Sequence, residues 1–253
     1  MQHINSRMEW TEEALILGTR RHGESSVILE VMTKERGRHL GLVRGGRSKR
    51  LQPSLQPGNR ALLTWRARLS DHLGVFTIEP LEMRAAHLME TSIGLYAVQL
   101  VASHLRLLPE RDPHPGLAEA AEIILSHVDD PPIMAALIIR FELAVLEDLG
   151  FGLDLKRCAV TNRSEALAFV SPKSGRAVTE EGAGPYKNKL LALPQFLTGV
   201  ANEIAGEDLR QGFELSGFFL SRHIFEPRNL AAPHARDTLI RRVLEGMEAT
   251  KSP

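Results

Sequence analysis

The chain has 253 residues, 43% of them hydrophobic and 25% charged, with 31 Lys and Arg against 31 Asp and Glu. That composition excludes a disordered or fibrous chain, and the length suffices for one large domain or two smaller ones. The single cysteine excludes an intrachain disulfide and a cysteine-only zinc site.

The N-terminal residues 1–13 carry no apolar core of the signal-peptide kind. Residues 10–80 then read as strands at 14–20, 26–33, 38–44, 60–69 and 73–79, each bounded by turn residues such as His22-Gly23, Arg36-Gly37 and Gly45-Gly46. Five short strands in about 70 residues fit a small closed barrel such as the OB-fold, and a small β-sandwich fits equally. Residues 64–69 alternate with period two, which sets Arg66 and Arg68 on one face. Residues 1–80 are basic, with 13 Lys and Arg against 8 Asp and Glu.

After Pro80 the apolar spacing becomes helical. Residues 81–108, 116–128 and 133–149 read as three helices, the third carrying the stripe Ile138, Phe141, Val145 and Leu149 and ending at Gly150. This segment, 81–150, is acidic, with 4 Lys and Arg against 11 Asp and Glu. The longest apolar stretch, 133–139, is too short to span a bilayer. Residues 152–185 are rich in Gly, Ser and Pro with one strand-like run at 167–170, and read as a compact insert. Residues 187–200, 207–225 and 234–249 return to helical periods. The organisation expected is therefore α+β: a five-stranded barrel over 1–80 and a helical domain over 81–253 that carries the insert.

Enzyme signatures are missing. The sequence has no GxxxxGK[ST], GxGxxG, HExxH or GxSxG, and its histidines do not fall at metal-ligand spacing. His104, inside an apolar helical stretch, reads as a structural histidine. The acid pairs Glu12-Glu13, Asp129-Asp130 and Glu180-Glu181 read as caps and turns.

The feature with most chemical content is the run 34–50, KERGRHLGLVRGGRSKR. It holds Lys34, Arg36, Arg38, Arg44, Arg47, Lys49 and Arg50 against one acid, Glu35. Gly45-Gly46 permits close backbone approach, and the Ser48 hydroxyl can donate to a phosphate. With Arg60, Arg66 and Arg68 on the same barrel, the run suits a phosphate backbone. Aromatic residues are few in 1–80, namely Trp10, Trp65 and Phe76, so sequence preference should be weak. Trp65 either stacks on a base or packs in the core.

A second cluster lies on the helices. Arg140 beside Phe141, together with Phe218, Phe219, Arg222, Ile224 and Phe225, suits a groove for a short acidic peptide with an apolar end. The plainer reading makes these aromatics core and pairs Arg140 with an acid such as Glu142 or Glu147.

Taken together, Gly23-Glu24-Ser25-Ser26, TKERG at 33–37, GGRSKR at 45–50, Leu55-Gln56-Pro57, RFELAVLEDLGFG at 140–152, Cys158, SPKSG at 171–175 and SRHIF at 221–225 resemble the recombination mediator family RecO. The resemblance implies an N-terminal OB-fold and a helical domain with a zinc-binding insert. It implies binding of single- and double-stranded DNA, annealing of complementary strands, and help in loading the RecA recombinase onto DNA coated by single-strand DNA-binding protein (SSB). It implies RecR and sometimes RecF as partners, docking of the acidic SSB tail on the helical domain, and a bacterial, cytoplasmic, nucleoid-associated protein. Carried over by position, 44–50 falls on the DNA-binding barrel and Arg140 on the helix implicated in tail docking. The insert departs from the family pattern of two Cys-x2-Cys pairs. Only Cys158 stands, with Thr161, Thr179 and Gly182 in the other positions, so neither zinc nor another cofactor is expected. The expectation is a non-enzymatic DNA-repair mediator; the alternative is a protein-interaction scaffold whose barrel does not touch DNA.

Overall fold

The computed structural model describes residues 8–199 and 203–251, so residues 1–7 and Val200, about which the sequence raises expectations, lie outside it. The chain divides into two compact units, Met1–Leu125 and Ser126–Pro253.

The first unit is built on five strands: β1 (Met8–His22), β2 (Ser26–Thr33), β3 (Gly37–Val43), β4 (Arg60–Ala67) and β5 (Val75–Glu82). They close in the order β1-β2-β3-β5-β4. Closure depends on the length of β1. Its first half pairs antiparallel with β4, from Met8↔Ala67 to Leu15↔Arg60. Its second half pairs with β2, from Ala14↔Thr33 to His22↔Ser26, with a register shift between Ile16 and Gly18 that lets the strand bend. The final contact is parallel, Leu42 of β3 beside Val75 of β5.

β1 begins six residues before the expected strand because its acids are ion-paired strand residues, not turn residues. Glu9 pairs with Arg66 at 2.8 Å, Glu12 with Arg36 at 3.3 Å and Glu13 with Arg60 at 2.6 Å. Glu12-Glu13, read from sequence as a solvated turn, is thus part of the barrel wall. Inside lie Ile16, Leu29, Val31, Leu63, Trp65 and Phe76, all buried.

The expected helix 81–108 is broken. β5 runs through Pro80, beside a register shift at Arg60/Ala61 where a missing N–H is tolerated. Two helices follow, α1 (Ala85–Leu88) and α2 (Ser92–Leu105), because the Thr91 hydroxyl accepts the Gly94 N–H and starts a new helix. α3 (Pro115–Ser126) comes next. His104 is fully buried, its Nδ1 2.9 Å from the Leu100 carbonyl oxygen, as expected of a structural histidine.

The second unit contains α4 (Pro131–Asp148), α6 (Gly206–Leu220) and α7 (His234–Lys251), with a small sheet ordered β7-β6-β8. Its strands are β6 (Leu167–Val170), β7 (Ala177–Thr179) and β8 (Leu191–Ala192), and α5 (Glu180–Ala183) follows β7. Asp130 caps α4 by accepting the Ile133 N–H. The expected helix 187–200 does not form over its described residues. Pro194 is extended (φ −61°, ψ 140°), and β8 pairs with β6 instead. The expected helix 207–225 changes at its end into a π-helical turn, Ser221–Phe225. At the centre, the fully buried Glu142 carboxylate of α4 accepts two hydrogen bonds from Arg236 of α7, at 2.8 and 3.0 Å, and one from Ser216 of α6. Among the described residues no helix is long and apolar enough to cross a membrane.

Candidate nucleic-acid interface

The basic run 34–50 is not one patch. Arg38, at the start of β3, and Arg44, just past its end, lie roughly 20 Å apart at about 3.3 Å per strand residue. At the first end the cations are engaged. Lys34 lies 3.5 Å from Glu119 and Arg36 3.3 Å from Glu12. Arg38 pairs with Glu30 at 2.8 Å and Glu110 at 3.6 Å, donates to the Leu108 carbonyl, and has a side chain only 14% exposed. Arg38 is thus engaged within the barrel, its charge answered by Glu30 and Glu110. Arg60, also engaged, contacts Glu13, Glu82 and Glu122.

At the other end the cations are open. Arg44, Lys49 and Arg50 are exposed and have no ion-pair partner among the described residues. Gly46 is packed so closely that a Cβ there would lie 2.5 Å from Val27 Cγ2, which fixes the start of the loop. Arg47 secures the rest: its backbone N–H donates to the Ser25 carbonyl at 3.0 Å and its guanidinium to the Glu24 carbonyl. It acts here as a latch between this loop and the β1–β2 turn. Ser48 Oγ accepts the Leu51 N–H at 3.4 Å.

The latch brings in two residues that the sequence reading missed. Arg20 and Arg21 precede the β1–β2 turn, are exposed, and lack an acid partner among the described residues. The register Arg21↔Val27 and Val27↔Val43 sets them across β2 from the end of β3. The adjacent pair of arginines before His22-Gly23 was the available signal; only strand register ties it to a loop 24 residues later.

Arg44 also borders a groove of about 740 Å³ with Leu42, Arg66, Arg68, His72, Gly74 and Val75. Arg68 is exposed; Arg66 is held by Glu9, whose hydrogen bond and charge raise the guanidinium pKa further. Trp65 does not face this groove as a stacking platform. It is 2% exposed, and its Nε1–H donates to the Leu73 carbonyl at 3.0 Å. Gly74 makes room for it, since a Cβ there would lie 2.2 Å from the indole nitrogen. Trp65 stacks on Trp10 at 5.8 Å, and both surround His39 edge-on. His39 is buried with both ring nitrogens unpartnered. Burial, then the charges of Arg111 and Arg36, push its pKa down to about 4. Of the three barrel aromatics, Trp65 and Phe76 are thus buried and Trp10 is partly so, packed against them.

In the second unit, Arg140 is exposed on α4 and donates to the Phe196 carbonyl. It borders a recess of about 680 Å³ with Leu143, Glu147, Leu153, Leu155, Lys156 and Leu197. Phe141 is 2% exposed and belongs to the core, and Phe219, Ile224 and Phe225 are buried too. Arg222 is exposed but lies against another segment, donating to the Pro172 carbonyl at 2.8 Å. Of the three residues expected at a partner groove, only Arg140 lines this recess, and leucines rather than phenylalanines form its walls.

The insert gathers the four positions named from sequence. Cys158 Sγ accepts the N–H groups of Val160, Thr161 and Thr179 at 3.3–3.4 Å, with Thr179 Oγ1 at 3.5 Å. A Cβ at Gly182 would lie 3.2 Å from the sulfur. Burial pushes the thiol pKa up, but the hydrogen bonds from Thr161 and Thr179 outweigh it and hold the value at about 6. One sulfur and two hydroxyls do not suit zinc. Among the described residues no group of three His, Cys, Asp or Glu gathers for a metal.

Residues 8–84 match the family model described as Recombination protein O N terminal, and residues 88–230 match Recombination protein O C terminal. The chain is 59% identical to a DNA repair protein RecO from Chelativorans sp. (strain BNC1) over 247 residues, 97% of this chain and 99% of that one. It is 54% identical to the DNA repair protein RecO of Sinorhizobium medicae (strain WSM419), over 97% of this chain and 98% of that one. It is 55% identical to that of Methylobacterium nodulans, over 92% of this chain and 97% of that one.

Proposed function

The chain belongs to the RecO family of DNA repair proteins, and from that premise we propose that it is a non-enzymatic mediator that binds single- and double-stranded DNA through its barrel and anneals complementary strands. The observation that carries this reading is the set of exposed cations at one end of the barrel that have no acid partner among the described residues: Arg20, Arg21, Arg44, Lys49, Arg50 and Arg68. Such a surface neutralises phosphates and ignores base identity, as annealing of arbitrary sequences requires. The strand order β1-β2-β3-β5-β4 with a parallel β3–β5 contact supports reading the barrel as an OB-fold. The family-model boundary between residues 84 and 88 supports a barrel domain over 1–80 and a helical domain after it.

In this proposal the Arg140 recess takes the acidic tail of SSB, leucine walls receiving the tail's apolar end and Arg140 its carboxylate. RecR and RecA, with RecF in some settings, complete the reaction in the bacterial cytoplasm at the nucleoid, and the protein delivers RecA to SSB-coated strands. The test is annealing of two labelled complementary oligonucleotides without nucleotide. The protein should accelerate annealing at low salt and lose the effect at high salt. Absence of both annealing and DNA binding would favour the protein-only scaffold.

A further inference from the structure

Three segments far apart in sequence meet at one corner of the second unit. Phe151 follows the end of α4, where Gly150 turns the chain at φ +89° and the Phe151 N–H donates to the Leu146 carbonyl at 2.7 Å. Its ring lies 4.9 Å from that of His223 with the planes 14° apart. His223 in turn lies 6.0 Å from Phe219 with the planes 7° apart. The rings form one nearly parallel column. Phe219 roots it in the core at 2% exposed, while Phe151 is 39% exposed.

His223 reaches this position because it sits in the π-helical turn Ser221–Phe225; such turns often mark functional sites. The next-door Arg222 holds the Pro172 carbonyl at 2.8 Å and so fixes the third segment, the turn between β6 and β7. That turn carries Lys173, exposed and without an ion-pair partner among the described residues. Gly175 in the same turn lies against Phe219, with only 3.8 Å from a Cβ there to the ring.

A lone exposed phenylalanine needs no explanation. A flat ring backed by two parallel rings, with Arg222 and Lys173 on the segments that frame it, has the parts of a single-strand contact: a π-face for a base and cations for the adjoining phosphates. In the barrel Trp65 and Phe76 are buried, and the partly buried Trp10 packs against them.

We propose that Phe151 is a stacking platform for an unpaired nucleobase, a second DNA contact carried by the helical unit. The inference rests on the DNA-binding reading above and extends it from the barrel to the helical unit.

The test uses the full chain and two labelled strands of equal length, oligo(dT) and an abasic strand, read by fluorescence anisotropy. The parent protein should prefer the base-bearing strand. Phe151→Ala should weaken oligo(dT) binding by about five- to tenfold, the scale of one stacked base, leave abasic binding unchanged, and melt at the parent temperature. Phe151→Tyr, which keeps the ring, should restore the preference. Unchanged oligo(dT) affinity in Phe151→Ala overturns the platform and leaves DNA binding by the barrel intact. Equal weakening on both strands overturns it as well, because the residue would then act through structure rather than stacking. Selective loss of an aromatic peptide instead of DNA assigns the face to a protein and overturns the proposal. Failure of the parent to bind either strand rejects the DNA reading and the platform together.

Discussion

His39 shows how one residue can tie the barrel to pH. It is enclosed by Trp10, Trp65 and Phe76 with no hydrogen-bond partner on either ring nitrogen, and its pKa is held at about 4 against an ordinary 6.5. The folded chain therefore refuses a proton that the unfolded chain accepts. Above pH 6.5 both states are neutral at this site and nothing is lost. As pH falls from about 6.5 towards 4, the unfolded state gains a proton first and stability drops, by about 2 kcal/mol at this one site. His39→Leu, similar in volume and unable to ionise, should remove that share of the acid loss in urea titrations at pH 7.5 and 4.5. An identical loss in parent and variant would place the acid sensitivity elsewhere. At this scale the sequence was a poor guide. Trp65 was legible only as stacking or packing, and burial decided for packing. Arg140 was legible as a surface cation, whereas Phe141 beside it is core, because neighbours on a helix point about 100° apart.

Elements were legible where polarity followed period. β2 lies at 26–33 and β6 at 167–170, as expected, since apolar runs bounded by turn residues leave little choice. β1 was cut short because its first half carries acids whose partners sit on β4 and in the turn before β3. The helix expected at 187–200 failed at Pro194, which matters more than the apolar period around it. The insert is the informative case. Of its four positions named from the sequence only Cys158 carries a thiol, and it receives backbone N–H groups from Val160, Thr161 and Thr179, an arrangement that stabilises a thiolate. Gly182 places its Cβ direction 3.2 Å from that sulfur. If the backbone keeps the shape of a metal site, restoring sulfur alone should restore metal. The triple variant T161C/T179C/G182C should bind one zinc per chain, counted by atomic absorption after gel filtration, and should melt higher with zinc than after chelation. A variant that folds but holds no zinc would show that hydrogen bonds have drawn the loop out of tetrahedral reach.

Over the whole molecule, equal totals of acid and base conceal a division of labour. The acids of the segment 81–125 do not cancel the barrel's charge uniformly. Glu119 takes Lys34, Glu110 takes part of Arg38, and Glu122 takes Arg60 and Arg84. These pairs lie towards one end of the barrel, and the open cations are left at the other. Net charge could not reveal this, nor could the basic run 34–50, whose two halves fall on opposite sides of the division. The consequence is measurable as counterion release. Six open cations, if all met phosphates of a single strand, would give a log–log salt slope of about −4. Removing Arg44, Lys49 and Arg50 together should flatten the slope by about 2, in proportion to the charges lost. Removing Lys34 and Arg36, equally basic in the sequence, should leave it unchanged, because their charges are already answered by Glu119 and Glu12. Arg47 should behave as neither. Arg47→Lys keeps the charge but loses the guanidinium's grip on the Glu24 carbonyl, so affinity should fall through a loosened loop while the slope stays near that of the parent. Equal slope changes for the two ends of β3 would mean that DNA reads the run as the sequence writes it, and not as the barrel sorts it.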